Sequence, residues 1–316
     1  MMIIPIKRHA FFLLLCFTVI AVPGTFAVAA TLPVGSSKAY ASIRSALAAA
    51  KDGDTIIVSK GLYREGNIVV DKRVCLLGEG RPVLDGDQQH EVFSIKSDGV
   101  TIKGFCIQNS GRNAINDPGA IKAYECGQLL IEDNVLLNNY FGIYLQYVQN
   151  AVVKNNQINA SQKQEHQSGN GIHCWKSDSL QIIGNRITGH RDGIYFEFVT
   201  QSVIWRNVAK ENLRYGLHFM FSHNNAYITN YFKSNGAGVA VMFTKKVVMM
   251  NNTFEENWGD AAYGVLFKEL SDCYLSGNKF LRNTTGILFD GSNRIVAEHN
   301  VFRANGWGMR MQANCM

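Results

Sequence analysis

The sequence predicts an all-β fold: a single-stranded, right-handed parallel β-helix with a short N-terminal capping helix. Two observations support this fold. A motif of about 22 residues recurs between residues 120 and 308, and each copy begins with a small residue followed by alternating apolar residues. Short strands stacked in repeats of this length bury one continuous core, as in other solenoids.

The repeat is defined by nine anchor positions, of which eight are glycines. The anchors are Ala120, Gly142, Gly171, Gly193, Gly216, Gly238, Gly264, Gly286 and Gly308. An asparagine follows 14 residues after each anchor except the last, at Asn134, Asn156, Asn185, Asn207, Asn230, Asn252, Asn278 and Asn300. A side-chain amide at a fixed turn can bond backbone groups of the next coil and tolerates left-handed backbone. The constant offset therefore predicts one coil of strands per repeat.

The residues after each anchor alternate between the two faces of a strand. The first and third residues are apolar in every repeat, for example Ile143 with Leu145 and Leu217 with Phe219. Because side chains alternate across a strand, these positions are expected inside the coil, and Cys174 is among them. Adjacent coils should then lie about 4.8 Å apart.

The N-terminal segment has the features of an export signal. Lys7 and Arg8 precede an apolar run from Ala10 to Val22, and small residues follow near position 30. The apolar run is shorter than the ~20 residues that span a bilayer. Residues 1–30 are therefore predicted to be a cleaved signal peptide, and residues 31–316 to form the β-helix domain of an exported, periplasmic protein.

The two ends of the predicted domain differ. The segment Tyr40–Lys51 has apolar residues at helical spacing, with Ser42 as its N-cap, and predicts a helix that covers the first coil. At the other end the repeat continues to Gln312, and no capping segment follows. An uncovered last coil exposes an unpaired strand edge, so the chain is expected to be truncated there or to dock on a partner.

Charge and cysteine content argue against two classes of function. The net charge is +6, and loss of Lys7 and Arg8 with the acid-free leader leaves +4 (6 − 2). This balance is too weak to indicate nucleic-acid binding. The six cysteines after the leader fit neither a zinc motif nor a compact disulfide framework.

Length variation is confined to one edge of the predicted solenoid. Three long inserts, Gln108–Gly119, Asn159–Asn170 and Glu255–Tyr263, all lie between an asparagine position and the next anchor. Insertions on one edge of a solenoid commonly mark its functional face. The second and fourth residues after each anchor are predicted to point outward beside this edge.

Histidine and methionine are concentrated at these outward positions. His218, Met220 and Met242 form the most compact group, with His223 in reserve. Imidazole and thioether ligands suit soft metals, Cu(I) above all, so transient copper contact is one prediction. An apolar docking surface for another protein explains the same residues, and the two interpretations are compatible. The other candidates on this face are His173, Trp175, His190, Arg191, Asp192, Tyr195, Glu197, Arg214 and Tyr215.

Carbohydrate chemistry is the alternative for this fold. Many parallel β-helices are polysaccharide lyases, hydrolases or epimerases that use paired carboxylates or a base with arginine. The outward acids are few, at Asp192, Glu197 and Asp290, and Asp192 is expected to form a structural ion pair with Arg214. A uronate lyase or epimerase therefore stays an alternative. A carbohydrate-binding solenoid would instead use the aromatic side chains of Tyr144, Trp175 and Tyr195.

Two segments carry a more specific resemblance than the general repeat. They are HRDGIYFEF at residues 190–198 and LRYGLHFMFS at residues 213–222. On these motifs the chain resembles the NosD family, periplasmic β-helix proteins of the nitrous-oxide reductase gene cluster. The resemblance runs from about Tyr40 and is densest after Gly169. The motif positions that it covers are His190, Arg191, Asp192, Tyr195, Glu197, Arg214, Tyr215, His218 and Met220.

The resemblance implies an assembly factor rather than an enzyme. The family works with an ABC transporter, which comprises an ATPase and a membrane permease, and with a copper-chaperone lipoprotein. Together these proteins help to mature the copper–sulfur centre of nitrous-oxide reductase. The resemblance therefore implies these three partners, and copper as a transient ligand. Members of the family continue for further coils beyond the point where this sequence stops.

Overall fold

The parallel β-helix is confirmed by the computed structural model, which describes residues 29–113, 115–312 and 314–315. Nearly all of the predicted signal peptide, residues 1–28, lies outside the described residues. Among the residues that are described, no helix is long and apolar enough to cross a membrane.

Three parallel sheets form the sides of the solenoid, with strands numbered in chain order. Sheet 1, which holds the anchors, contains β4 (Ile68–Val70), β7 (Phe93–Ile95), β10 (Gly119–Tyr124), β13 (Phe141–Gln146), β16 (Ile172–Trp175), β19 (Asp192–Glu197), β22 (Tyr215–Met220), β25 (Ala237–Met242), β28 (Val265–Lys268), β31 (Thr285–Asp290) and β34 (Trp307–Met311). Sheet 2 contains β1 (Thr31–Val34), β2 (Thr55–Val58), β5 (Cys75–Gly78), β8 (Thr101–Lys103), β11 (Leu130–Glu132), β14 (Val152–Lys154), β17 (Gln181–Ile183), β20 (Val203–Trp205), β23 (Ala226–Ile228), β26 (Val248–Met250), β29 (Ser271–Ser276) and β32 (Asn293–Glu298). Sheet 3 contains β3 (Leu62–Tyr63), β6 (Val83–Asp85), β9 (Cys106–Gln108), β12 (Val135–Leu137), β15 (Gln157–Asn159), β18 (Arg186–Thr188), β21 (Val208–Lys210), β24 (Tyr231–Lys233), β27 (Thr253–Glu255), β30 (Lys279–Leu281) and β33 (Val301–Arg303).

Each coil visits the three sheets in the same order. Equivalent residues pair in register from coil to coil, as Ile172 of β16 does with Ile194 of β19. The inward side chains of all three sheets meet in one core, which includes the predicted Cys174, and aromatic rings stack along it. Phe254 and Phe280 of sheet 3, for example, have ring centroids 4.8 Å apart. This distance is the spacing of adjacent strands.

The asparagine offset is explained by a hydrogen-bonded ladder between sheets 2 and 3. The side-chain oxygen of Asn207 accepts from the backbone N–H of Asn185 (2.9 Å), and the Asn207 amide donates to Ile182 O (2.7 Å). The same contacts recur from Asn134 to Asn300. Each amide therefore satisfies buried backbone groups that a bend would otherwise leave unpaired.

A second ladder, which sequence reasoning missed, lies between sheets 3 and 1. Its members are Asn212, Asn235, Asn257, Asn283 and Asn305, and each side-chain oxygen except the first accepts from the backbone N–H of the preceding member. Each of these asparagines lies 19 residues after the anchor of its repeat, so the sequence did contain the signal.

The predicted capping helix is present as α1 (Ile43–Ala49), within the expected segment Tyr40–Lys51. Ser42 is its N-cap, and the hydroxyl oxygen accepts from the backbone N–H of Ser45 at 3.1 Å. The buried side chains Ile43 and Leu47 belong to the core. The helix thus closes the N-terminal end of the stack.

The three inserts all join sheet 3 to sheet 1, as predicted. The first lies between β9 and β10, the second between β15 and β16, and the third between β27 and β28. The second insert contains a short 3₁₀ helix, η1 (Glu165–Gln167). All three therefore lie beside the outer face of sheet 1.

Candidate functional site

The outer face of sheet 1 is largely covered. Lys122, Tyr144, His218 and Ala240 point away from the core, yet they are only 5%, 8%, 6% and 0% exposed. His190 and Asp192, at 1% and 0%, are buried as well. The side chains at these positions therefore face away from the core but are not open to solvent.

The inserts are the physical reason for this burial. In the first insert, Asn116 O accepts a hydrogen bond from the Lys122 ammonium at 2.8 Å. In the second, the Asn170 amide lies 3.0 Å from Nδ1 of His173. At the end of the third, Tyr263 packs in an outer apolar cluster with Ala240. Sequence spacing located the inserts but could not show that they fold back over the sheet.

An aromatic ladder runs along the covered face. Ring centroids are separated by 4.3 Å between Tyr144 and His173, 4.7 Å between His173 and Tyr195, and 4.9 Å between Tyr195 and His218. The Lys122 ammonium lies 4.6 Å from the Tyr144 ring centroid. Contacts of this kind hold each ring in place through its neighbours. The candidate residues of four successive coils are thus one packed unit.

At the end of this ladder lies a partly buried ion pair. Arg214 binds the buried Asp192 carboxylate through two nitrogens, Nε at 2.9 Å and Nη2 at 2.5 Å. The pair joins adjacent coils, in agreement with the structural ion pair that the sequence predicted. Burial raises the pKa of the Asp192 carboxyl, but the hydrogen bonds from Arg214 and the charge of Arg214 outweigh it and hold the pKa below the usual range. Asp192 is therefore a carboxylate at neutral pH.

His218 is the least satisfied polar side chain on this face. Its Nδ1 lies 3.6 Å from the Asp192 carboxylate, slightly beyond hydrogen-bonding distance. In the described part of the chain, neither ring nitrogen has a hydrogen-bond partner. A buried polar group without a partner is costly, and in native proteins it commonly indicates a functional role or an unseen ligand.

Two methionines lie beside His218 at the edge of the covered region. Met220 is two residues further along β22, and Met242 is its paired neighbour on β25. Both are half-buried. The Tyr195 hydroxyl lies 3.7 Å from the Met220 sulfur and 3.3 Å from the Glu197 carboxylate. The structure therefore brings His218, Met220 and Met242 together as the sequence suggested.

His223 is placed differently from this group. It lies in the turn after β22, and its Nδ1 accepts a hydrogen bond from the backbone N–H of Lys245 at 3.1 Å. One ring nitrogen is thus already used by the fold. The structure does not bring this nitrogen to the His218 group.

His190 and His173 have structural surroundings. His190 stacks into the second ladder, with its backbone N–H donating to Asn212 at 3.2 Å and its Nδ1 3.4 Å from Ser168 Oγ. Burial lowers the pKa of His190 to about 4. Burial, with the nearby Arg191 charge, lowers the pKa of His173 to about 3. Both rings are therefore neutral at physiological pH.

The remaining candidates rim the covered face. Trp175 is half-buried beneath the ammonium of Lys176, which lies 4.6 Å from its ring centroid. Tyr215 packs against His218 with centroids 4.8 Å apart. The Arg191 Nε is buried, and the structure gives it no partner among the described residues. Within the same residues, no three His, Cys, Asp or Glu side chains converge as a metal site.

Sequence reasoning missed a further group of outer residues, those at the fifth position after the anchor. Phe198, Phe221 and Phe243 occupy this position in three successive coils and form a stack, with centroids 5.1 and 5.0 Å apart. All three have left-handed backbone, with φ of 55°, 51° and 54°. The signal was available in the sequence, because phenylalanine recurs at a fixed offset from Gly193, Gly216 and Gly238.

The fold and the site together define a parallel β-helix whose candidate functional side chains lie on the outer face of sheet 1, beneath the inserts. A family model described as periplasmic copper-binding protein (NosD) matches residues 159–315, which include His218, Met220 and Met242. The chain belongs, through these residues, to the NosD family.

Two curated relatives match part of the chain. The "Probable ABC transporter binding protein NosD" of Pseudomonas aeruginosa is 31% identical over 167 residues, which cover 52% of this chain and 39% of the relative. A cell surface glycoprotein of Methanothermus fervidus is 32% identical over 106 residues, covering 33% of this chain and 18% of that protein. The match therefore spans about two fifths of the first relative's length and less of the second's.

Solved structures with the same architecture are distant in sequence. The A-module of the mannuronan C-5 epimerase AlgE4 of Azotobacter vinelandii has a TM-score of 0.63 at 12% identity, covering 86% of this chain and 95% of the module. PfbA, a surface adhesin of Streptococcus pneumoniae, has a TM-score of 0.60 at 12% identity, with 83% and 86% covered. At this identity the likeness shows the fold alone.

Proposed function

We propose that this chain is a periplasmic accessory protein of the NosD type that binds Cu(I) transiently at His218, Met220 and Met242. In this proposal it acts with an ABC transporter and a copper-chaperone lipoprotein to mature the copper–sulfur centre of nitrous-oxide reductase. The observation that carries the proposal is the buried His218 ring beside two half-buried thioethers, since neither of its nitrogens has a partner among the described residues.

The chemistry of these side chains supports copper as cargo rather than another ion. Thioether sulfur and imidazole nitrogen are soft ligands and suit Cu(I), whereas Ca²⁺ and Mg²⁺ need several oxygen ligands. Asp192 lies on the Nδ1 side of His218. A carboxylate in this place can orient the ring and favour one tautomer, which leaves Nε2 as the nitrogen available to metal.

The matching family and relative support copper and an ABC transporter as partners. The family is described as copper-binding and periplasmic, and the Pseudomonas aeruginosa relative is named for binding an ABC transporter. The predicted leader would place this chain in the same compartment. The permease, the chaperone and nitrous-oxide reductase enter the proposal through the NosD resemblance.

An enzymatic role in carbohydrate conversion has less support on this face. Proton abstraction from a sugar needs a free base near an arginine or a second carboxylate. Asp192 is buried in its pair with Arg214, and Glu197 is hydrogen-bonded to the Tyr195 hydroxyl. We therefore expect no cleavage or epimerisation of uronate polymers by the purified chain.

Cu(I) titration against a chromophoric chelator tests the copper proposal. We expect the Met220→Leu/Met242→Leu variant, which removes both sulfurs at nearly constant volume, to lose at least about 100-fold in Cu(I) affinity. Loss of groups that only support metal ligands already costs 10–100-fold. Met250→Leu, at an outward position of sheet 2, is the matched control and should bind as the wild type does.

The His218→Ala/Met220→Ala variant should also bind Cu(I) more weakly. Unchanged copper stoichiometry and affinity in both double variants would overturn the ligand assignment. The maturation role is tested separately by the copper-centre spectrum of nitrous-oxide reductase produced without this protein. A normal spectrum would overturn that role.

A further inference from the structure

The outer face of sheet 2 changes character along the solenoid. One outward column consists of the last residue of each strand from β8 to β26, and then of Ser276 and Glu298. Its members are Lys103, Glu132 and Lys154, followed by Ile183, Trp205, Ile228 and Met250. The column is therefore charged, then apolar over four coils, then polar again.

The charged part of the column shows that folding does not require an apolar residue at this position. Glu132 bridges to Lys103 at 3.2 Å and to Lys154 at 3.4 Å, so the coils tolerate ionic side chains here. The apolar part is a property of these four coils, not of the fold. Val203 and Val248 of the adjacent outward column extend it. These six residues, from Ile183 to Met250, are named the apolar window.

The stack of Phe198, Phe221 and Phe243 lies at the corner between sheets 1 and 2, separated from the window by polar side chains such as Gln201 and Lys246. Phe198 and Phe221 are 43% and 37% exposed although hydrophobic, and Trp205 is 36% exposed. The left-handed backbone of the stack costs each of its phenylalanines about 1–2 kcal/mol. Two exposed apolar groups on one side of the solenoid are candidates for an interaction site.

The geometry of the stack argues for a protein partner over a glycan. The rings are nearly parallel, with interplanar angles of 9° and 13°, so their faces are used by each other and their edges face outward. A sugar ring packs on an aromatic face, and only the two ends of the stack offer one. Apolar side chains of a polypeptide can pack on the edges.

Charge argues against a second copy of this chain. The exposed residues around the window, and between it and the stack, are basic; they are Lys176, Arg206, Lys245 and Lys246, named the basic rim. The nearby Asp178 is bound to two hydroxyls. Two copies would bring these cations together.

A membrane surface fits the window less well than a polypeptide segment. Sheet 2 extends as one face on both sides of the window, and it carries charged side chains there, the Lys103–Glu132–Lys154 group on one side and Glu298 on the other. A bilayer into which the window inserted would also meet these charged side chains, which are costly to bury in hydrocarbon. A narrow segment can contact the four coils alone.

We propose that the apolar window and the phenylalanine stack dock a short amphipathic segment of the ABC transporter, with carboxylates of that segment facing the basic rim. This assignment rests on the proposed function, because it takes the transporter as partner. It places the docking surface on sheet 2, whereas the copper residues lie on sheet 1.

The test measures binding of the full mature chain to the purified permease–ATPase complex in nanodiscs. Val248→Glu puts a carboxylate inside the window, and Val152→Glu makes the same change in the same column four coils away. We expect Val248→Glu to weaken binding at least tenfold. The new carboxylate would lose its water on docking and would face the carboxylates of the transporter segment. Val152→Glu should change it less than twofold, and wild-type binding should weaken with salt. Thermal unfolding checks that both variants fold.

Each alternative outcome is distinct. Equal binding by the wild type and both variants overturns the docking surface and leaves the proposed function standing. Failure of the folded wild type to bind the complex overturns both. Binding to empty anionic nanodiscs that Val248→Glu abolishes assigns the window to lipid and overturns the proposal. Concentration-dependent dimerisation that the same variant abolishes assigns it to a second copy, with the same result.

Discussion

The outer faces of sheets 1 and 2 follow the same backbone rule and have opposite character. On sheet 1, polar and ionisable side chains such as Asp192 and His218 are buried. On sheet 2, large apolar side chains such as Trp205 and Phe198 are exposed. Ordinary burial preferences predict the reverse in both places.

The inserts account for the difference on sheet 1. They lie between sheets 3 and 1, and they convert the outer face of sheet 1 into a second packed interior in which a charge needs a partner. In the part of the chain that the structure describes, no such insert adjoins sheet 2, so its outer side chains remain at the surface. We infer that the covered face is suited to holding a ligand and the open face to contacting a protein.

The largest expected difference between the faces concerns their Arg–Asp pairs. Arg214→Met leaves the buried Asp192 carboxylate without its main partner, and the free energy of unfolding should fall by about 3–5 kcal/mol. Chemical denaturation measures this loss. Arg294 makes an equivalent two-nitrogen contact with Asp272, at 2.6 and 2.9 Å, on the open side.

Arg294→Met is the matched control, because both members of the Arg294–Asp272 pair are exposed. It should leave unfolding nearly unchanged, as screened surface pairs contribute little. An equal loss in the two variants would contradict the division into a covered and an open face.

A smaller effect is expected from the pH dependence of stability. His190 has a folded pKa of about 4, below the ordinary value of 6.5. Between these values the unfolded chain binds a proton that the folded chain does not. The free energy of unfolding therefore decreases as the pH falls through this range, by up to about 1.4 kcal/mol per pH unit. The stabilising contribution of His190 is complete above pH 6.5.

Denaturation curves recorded between pH 7 and pH 4 measure this slope. His190→Gln should remove only the share of the slope that belongs to His190, because His173, with its pKa lowered to about 3, contributes in the same pH range. His299→Gln, exposed beyond β32, should leave the slope unchanged. The contribution of Asp192 can be separated from this slope. Because its pKa is lowered, its contribution to stability is lost only below about pH 4. A slope that His190→Gln leaves unchanged would show that the ring titrates as a free histidine.

The smallest expected effect is on the open corner. Phe221→Gly removes ring contacts worth about 0.5–1.5 kcal/mol but relieves a left-handed backbone of similar cost, so the net change should be within about 1 kcal/mol. Its neighbour Phe219 is buried in the core, and Phe219→Gly should cost at least about 3–5 kcal/mol. A large loss from Phe221→Gly would make the stack structural and weaken its assignment to docking.

The sequence predicted the coil well because a coil depends on local rules. Glycine anchors, alternating apolar residues and a constant offset to asparagine each act within one repeat, and all three appear in the structure as expected. Pairing of Met220 with Met242, and of Asp192 with Arg214, followed from the register alone.

Burial of the outer face could not be predicted in the same way. The inserts have no repeat pattern, and their contacts with Lys122 and His173 depend on how a loop folds over a sheet that is distant in sequence. His190, in contrast, occupies a position of the second asparagine ladder, 19 residues after Gly171, and it was assigned to an outward surface because this constant offset was overlooked. The phenylalanine stack was overlooked because attention to the second and fourth positions left the fifth out.

Copper bound on the outer face of sheet 1 is tested most directly by X-ray absorption at the copper edge of the Cu(I)-loaded chain. We expect sulfur scatterers in the first shell, lost in Met220→Leu/Met242→Leu and retained in Met250→Leu. A first shell of nitrogen and oxygen alone, or a sulfur signal that survives in the double variant, would contradict copper binding at His218, Met220 and Met242.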